Sequence, residues 1–197
     1  MRSVDRIGQS GLVTTPDELR AFADAYRAAE ARGLPVESVS HGGWHAGARV
    51  GAGTANGRLL AYHDSGDEAE CVFRTGQRPL FNIMRGGNRR AGETRPFSLW
   101  DVTPGICGTL VPDVAGVQVI GEDGSAFAAD IVAHTFAVDI ELVPPPAELP
   151  ESASIDERID SVWEHHRQAY EKARRLGVRV HDTAGAVIYE GPLVVDN

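Results

Sequence analysis

The segment Gly105-Ile-Cys-Gly-Thr-Leu-Val-Pro-Asp-Val-Ala-Gly-Val-Gln-Val-Ile-Gly-Glu-Asp-Gly124 reads as a strand, a Pro-Asp turn, a second strand around Val117 and Val119, and a Glu-Asp-Gly turn. From Ala126 to Leu142 the apolar series continues with Phe127, Ile131, Phe136, Val138, Ile140 and Leu142, the last four in strict alternation. Side chains of a strand point to opposite faces in turn, so alternation of this length is the mark of half-buried antiparallel strands. It defines an architecture and no chemistry.

Two helices flank this region. Thr15-Pro16-Asp17-Glu18 is a helix start, with Thr as N-cap, Pro at the first helical position and Glu three residues after the cap. Leu19, Phe22, Ala23 and Tyr26 recur on one face, and Gly33-Leu34-Pro35 closes the helix. The second helix starts at Ser154 with Glu157 three residues on, carries Ile155, Ile159, Val162, Trp163, Ala169, Tyr170 and Leu176, and stops at Gly177.

The chain divides into a helix over about 15–32, a β-rich core over about 58–143, a proline connector over 144–150, a helix over about 154–176 and a closing hairpin over about 178–193. Residues 36–57 read as Gly/Ala/Ser-rich loops with one short strand, ending in an Asn56-Gly57 hairpin signal. Segregated elements give one domain, mainly β and antiparallel sandwich-like, with two helices packed on it; the alternative is α+β.

Of the 197 residues, 42% are hydrophobic and 24% charged, the composition of a soluble globular protein. The net charge of −9 argues against nucleic-acid or anionic-membrane binding, since both need a positive surface. No apolar run is long enough to cross a bilayer, and the first residues lack a secretory apolar core, so the chain reads as cytoplasmic as written. Cys71 and Cys107 are too few for a structural zinc site. They read as buried free thiols, or as one disulfide that would place the protein outside the cytoplasm.

Gly108 to Asp113, Asp123-Gly124, Phe136 to Val138 and the hairpin Asp182 to Gly191 together resemble a small β-sandwich module of actinobacteria, the ectodomain found behind a membrane helix in anti-sigma-factor-like proteins. The similarity covers about a third of the chain and rests on turn residues. It implies a sandwich fold and a sensory or binding role, and it carries no active site. The chain departs from the pattern in the helix at 154–176 and in lacking the membrane span and the zinc-binding domain.

Candidate chemistry is sparse. His41-Gly-Gly-Trp-His45 has the i, i+4 spacing of a metal pair, but its glycines oppose a helix and no Glu follows His41. The same loop offers Trp44 as a ligand or partner contact. Tyr62-His63-Asp64 pairs a base with a carboxylate, although neighbours in a strand face apart, and an exposed, activated Cys71 could serve as its nucleophile. Arg85-Gly-Gly-Asn-Arg-Arg-Ala-Gly-Glu-Thr-Arg95 could cradle a phosphate or carboxylate through its four arginines, Arg85, Arg89, Arg90 and Arg95, without the spacing of a phosphate loop. His165 and His166 read as boundary histidines of the second helix, and Trp163 with Tyr170 as an interface or core face.

These readings converge on a non-enzymatic binding or assembly module that recognises a protein or small ligand, requires no cofactor, and acts through a protein partner or self-assembly. Two alternatives stand beside it. One is a small metal-dependent or Cys/His hydrolase using His41, His45, His63 and Asp64; the other is a structural subunit of a larger particle.

Overall fold

The computed structural model describes residues 16–52, 54, 56–75, 78–84, 95–146, 150 and 152–195. Among them, α1 (Pro16–Ala31) leads into β1 (Ser40–His41), β2 (Trp44–Val50), β3 (Gly57–His63), β4 (Glu68–Phe73) and β5 (Leu80–Met84). Next come β6 (Phe97–Asp101), β7 (Ile106–Leu110), β8 (Val114–Ile120), β9 (Ala126–Ala128), β10 (Asp130–Val132) and β11 (Thr135–Val138). The chain closes with α2 (Ile155–Ala173), β12 (Gly177–Asp182) and β13 (Val187–Pro192). The strands form three sheets, antiparallel at every pairing: β1-β2-β3-β4-β5, β10-β11-β7-β6 and β13-β12-β8-β9. The β-rich architecture with two helices is the one expected from the alternating pattern.

The first helix is built as its sequence requires. Asp17 and Glu18 place negative charge in the first turn, where the helix dipole favours it. At the other end Gly33 takes φ +69°, and its N–H and that of Leu34 return to the carbonyls of Glu30 and Ala29 at 2.9 and 3.0 Å. This is the left-handed closure that satisfies otherwise orphaned carbonyls. Leu19, Phe22, Ala23, Tyr26 and Ala29 are buried against Trp44, Ala46, Leu59, Ala61, Cys71 and Phe73 of the first sheet. The expected N-cap, Thr15, lies outside the described residues.

A bulge in β2 lets the first sheet serve two cores. Ala46 pairs with Ala61 and Arg49 with Leu59, so Gly47 and Ala48 together oppose Leu60. The extra residue shifts the alternation. Trp44, Ala46 and Arg49 face α1, whereas Ala48 and Val50 join Leu60, Cys107 and Ala137 in a core between the first and second sheets. The Ala48 N–H donates to Thr135 Oγ1 of β11 at 2.7 Å, and that hydroxyl donates to the Val132 carbonyl at 2.8 Å. Gly47 allows this approach: a Cβ there would lie 2.6 Å from Thr135 Oγ1 and 3.0 Å from the Leu60 carbonyl.

The second and third sheets enclose the largest core. Phe97, Ile106, Phe136 and Val138 meet Val117, Val119, Val178 and Val180, with Ala169 and Ala173 of α2 packed against them. The turns follow their side chains. Asp123 Oδ1 accepts from the Ser125 N–H and hydroxyl at 2.9 and 2.6 Å, and Asp182 Oδ1 accepts from the Ala184 and Ala186 N–H groups at 2.9 and 2.8 Å.

Three local expectations need correction. Residues 36–57 contain the seven-residue strand β2, its small residues selected by close packing between layers rather than by loop structure. Ala126 to Leu142 is three short strands, divided at Ala133, which takes φ +52°, and ending at Val138. Asn56-Gly57 closes the longer β2–β3 connection and enters β3 instead of forming a two-residue turn; the Asn56 Oδ1 accepts from the Thr75 N–H at 2.7 Å.

Gly47→Ala should destabilise the fold by about 1–3 kcal/mol through overpacking at the bulge. Thr135→Val should cost about 1–3 kcal/mol by stranding the Ala48 N–H. Urea unfolding of both variants checks this, and an unchanged midpoint in both would contradict the bulge account.

Candidate functional site

Arg58 is the second residue of β3, and alternation turns it away from the α1 face that Leu59 and Ala61 occupy. It is buried between the first two sheets. Its Nε lies 2.9 Å from Glu70 Oε2 of β4, its Nη2 2.7 Å from Asp101 Oδ2 of β6, and its Nη1 contacts Cys107 Sγ of β7 at 3.6 Å. Burial opposes the charged guanidinium, but the Cys107 sulfur and the Asp101 and Glu70 carboxylates more than offset this and raise its pKa.

Asp101 carries the hub outward to α2. Its Oδ1 accepts from the Val102 and Thr103 N–H groups at 2.7 and 3.3 Å and lies 3.8 Å from His166 Nδ1. Thr103 Oγ1 is 2.9 Å from His165 Nε2. Burial and the neighbouring His166 hold the His165 pKa below its ordinary value, against Asp101 and Glu141. Burial, with Asp101 and Cys107 beside it, pushes the Tyr170 hydroxyl upward, while Arg58 opposes the shift.

The second helix is anchored at one end only. Ser154 accepts the Glu157 N–H at 3.2 Å and its own N–H donates to Glu157 Oε2 at 2.7 Å, which completes the capping box expected from the sequence. Ala169, Ala173 and Leu176 are buried, and Lys172 Nζ donates to the Leu142 carbonyl at 2.8 Å. The first three turns are different. Ile155 is 75% exposed, Ile159 47%, Val162 44% and Trp163 71%, and every residue from Ser154 to Asp160 is exposed. A groove of about 650 Å³ runs along the helix, lined by Asp160, Trp163, Glu164, His166, Arg167 and Tyr170.

Trp163 and Tyr170 are therefore brought together, on an accessible face rather than in the core. Trp44 is not a contact residue. It is fully buried under α1, its ring 5.1 Å from that of His63, because β2 turns it inward. Arg85, Arg89 and Arg90 lie outside the described residues.

His41 and His45 do not form a chelating pair. Gly42 and Gly43 take φ +57° and +85° in the turn joining β1 to β2, where Ser40 pairs with His45 and His41 with Trp44. The two imidazoles fall on opposite faces. Among the described residues no group of three or more His, Cys, Asp or Glu could hold a metal ion.

His45 instead meets Asp64 at 2.8 Å and stacks on Tyr62, whose ring also makes an edge contact with His134, centroids 5.0 Å apart. His134 in turn lies 3.0 Å from the buried Glu68. His63 uses both ring nitrogens internally: Nε2 donates to the Gly42 carbonyl at 3.1 Å and Nδ1 accepts from the Ser65 N–H at 3.0 Å. It pins the turn and holds no spare nitrogen for a reacting proton.

Cys71 and Cys107 are free and fully buried, Cys71 in the α1 core and Cys107 beside Arg58, so the alternative of a disulfide between them is not realised. Burial raises both thiol pKa values, that of Cys107 to about 11 with Arg58 opposing, so neither is an activated nucleophile. Sequence reasoning missed Arg58, Glu70 and Asp101. The available signal was a charge in the same alternating series as Leu60, within a strand otherwise apolar up to Tyr62.

Comparison of the chain with protein-family models, with curated proteins and with solved structures gives no match.

Both thiols should resist iodoacetamide at pH 8 in the folded protein and react fully in denaturant; labelling of either native thiol would contradict their burial. The raised thiol values also set a pH dependence. Above their ordinary pKa near 9.0 the unfolded thiols lose protons that the folded ones keep, so stability should fall as pH rises from about 9 towards 11. Tyr26 and Tyr170 act in the same direction at higher pH. Cys107→Ala should flatten the fall measured by urea unfolding between pH 8 and 10; an unchanged slope would contradict this.

Proposed function

We propose that the protein is a binding or assembly module that recognises a protein partner through the exposed face of α2. One observation carries this reading: four large apolar side chains, Ile155, Ile159, Val162 and Trp163, are exposed on a helix segment that the other described residues leave uncovered. Helices in proteins gain most of their stability from packing an apolar face, and a clustered apolar patch marks a contact surface more often than a chance exposure. A central Trp next to a half-buried Tyr, in a groove rimmed by charge, has the composition of an interface hot spot.

The helix is also held in a way that suits recognition. Its C-terminal half is fixed to the core, and His165 and His166 rest on the Thr103 and Asp101 platform above Arg58. A rigid base with an uncovered arm presents a surface with little ordering cost on binding.

Photo-crosslinking inside cells of the native host tests the proposal. A photoreactive residue at position 159 should give a discrete protein adduct, and the same residue at the exposed polar position 122 should give none. Absence of a discrete adduct from position 159 would sink the reading.

A further inference from the structure

We propose that the segment docking on α2 is a cationic amphipathic helix, its apolar stripe laid over Ile155, Ile159 and Val162 and one Arg or Lys side chain lodged between Trp163 and Asp160. The inference rests on the recognition role assigned above and specifies the chemistry of its occupant. Ile155, Ile159, Val162, His166, Ala169 and Ala173 recur at alternating steps of four and three, which keeps them on one line along the helix. The lower part of that line, Ala169 and Ala173, is buried in the protein's own core. Ile155, Ile159 and Val162 continue it beyond the core edge for about two turns, so whatever covers them extends the core outward.

The charge beside this line has one sign. From Ser154 to Glu164 the helix carries Asp156, Glu157, Asp160 and Glu164 against Arg158. Arg158 turns back to the chain before the helix, donating to the Ala153 and Pro150 carbonyls at 3.2 and 2.9 Å. Glu157 closes the capping box, and Glu164 accepts from Arg167 at 2.7 Å and Gln168 at 2.6 Å. Asp156 and Asp160 are exposed and have no side-chain partner among the described residues. By the helix period both lie on the flank of the line that carries Trp163.

The groove of about 650 Å³ opens on the same flank and sets Asp160 beside the rings of Trp163 and Tyr170. An aromatic face next to a carboxylate suits a guanidinium or ammonium, which gains from both. Arg167, also in the groove, is already held by Glu164 and Glu171, both at 2.7 Å. A second copy presenting this same face would bring carboxylates to carboxylates, so complementarity selects a different, basic segment.

Hydrogen bonding sets the occupant's form. The backbone groups of α2 are spent within the helix and its capping box, so a chain laid along it finds no backbone partners there. The docking segment must satisfy its own backbone, and a helix does so within one stretch of sequence.

Isothermal titration calorimetry of the full chain tests this with a helical peptide of about 18 residues, Leu on one face and Lys on the other. A Leu/Glu peptide of the same pattern is the control. The Leu/Lys peptide should bind at one saturable site and the Leu/Glu peptide should not bind. Ile159→Ser should weaken binding about tenfold, and Asp156→Asn with Asp160→Asn by a similar factor, both with the wild-type circular dichroism. Asp17→Asn with Asp24→Asn, which removes two exposed acids of α1 instead, should leave the affinity unchanged. No binding of the Leu/Lys peptide, equal binding of both peptides, indifference to Ile159→Ser, or an equal loss from the α1 and α2 pairs overturns the inference. An adduct from position 159 with the mass of two chains overturns it as well. An adduct to a different protein through a segment without Lys or Arg retains the recognition role and removes only the chemistry assigned to its occupant.

Discussion

A guanidinium almost wholly withdrawn from water makes the rest of the architecture conditional on its partners. Arg58 sits where the first sheet meets the second, and its charge can stay buried only while Glu70 from one sheet and Asp101 from the other remain in place. Removing one member of such a group leaves an uncompensated buried charge, which costs about 3–5 kcal/mol. The apolar cluster between these two sheets is short, Ala48, Val50, Leu60, Cys107 and Ala137, with Trp100 and Val132 packed against it. Polar geometry thus fixes the register between layers, and the apolar residues fill the space around it.

The same hub reaches the surface. Asp101 uses its second oxygen to hold the Val102 and Thr103 amides and to face His166, and Thr103 receives His165. The second helix is therefore seated on a loop whose conformation is set by the buried cluster, and Ala169 and Ala173 complete the attachment below. Beyond that seat the helix continues for nearly three turns with its apolar residues uncovered. Among the described residues those turns are held by the capping box, by Arg158 donating to the Ala153 and Pro150 carbonyls at 3.2 and 2.9 Å, and by intrahelical pairs such as Glu164–Arg167.

The strands and helices were legible wherever the local pattern agreed with the layer they serve. Alternation around Val117 and Val119, the Asp123-Gly124 and Asp182 to Gly185 turns and both helix ranges reflect chemistry confined to a few neighbouring residues. The strand at Trp44–Val50 was hidden because its small residues are chosen by the approach of Thr135, nearly ninety positions away. Arg58 was hidden for the same reason: its partners lie on three other strands. Periodicity marked Ile155, Ile159, Val162 and Trp163 as an apolar helix face, but an amphipathic stripe reads alike whether it meets its own core or a partner. Only the position of the helix at the edge of the core distinguishes the two.

Hydrogen exchange along α2, with and without the Leu/Lys peptide, tests the central claim most directly. The account predicts that amides from Ala169 to Ala173 exchange slowly in both states, whereas those from Ile159 to Trp163 exchange fast in the protein alone and become protected when the peptide binds. Equal protection of both halves in the protein alone would show that the chain already covers the arm, and the recognition role of α2 would fail.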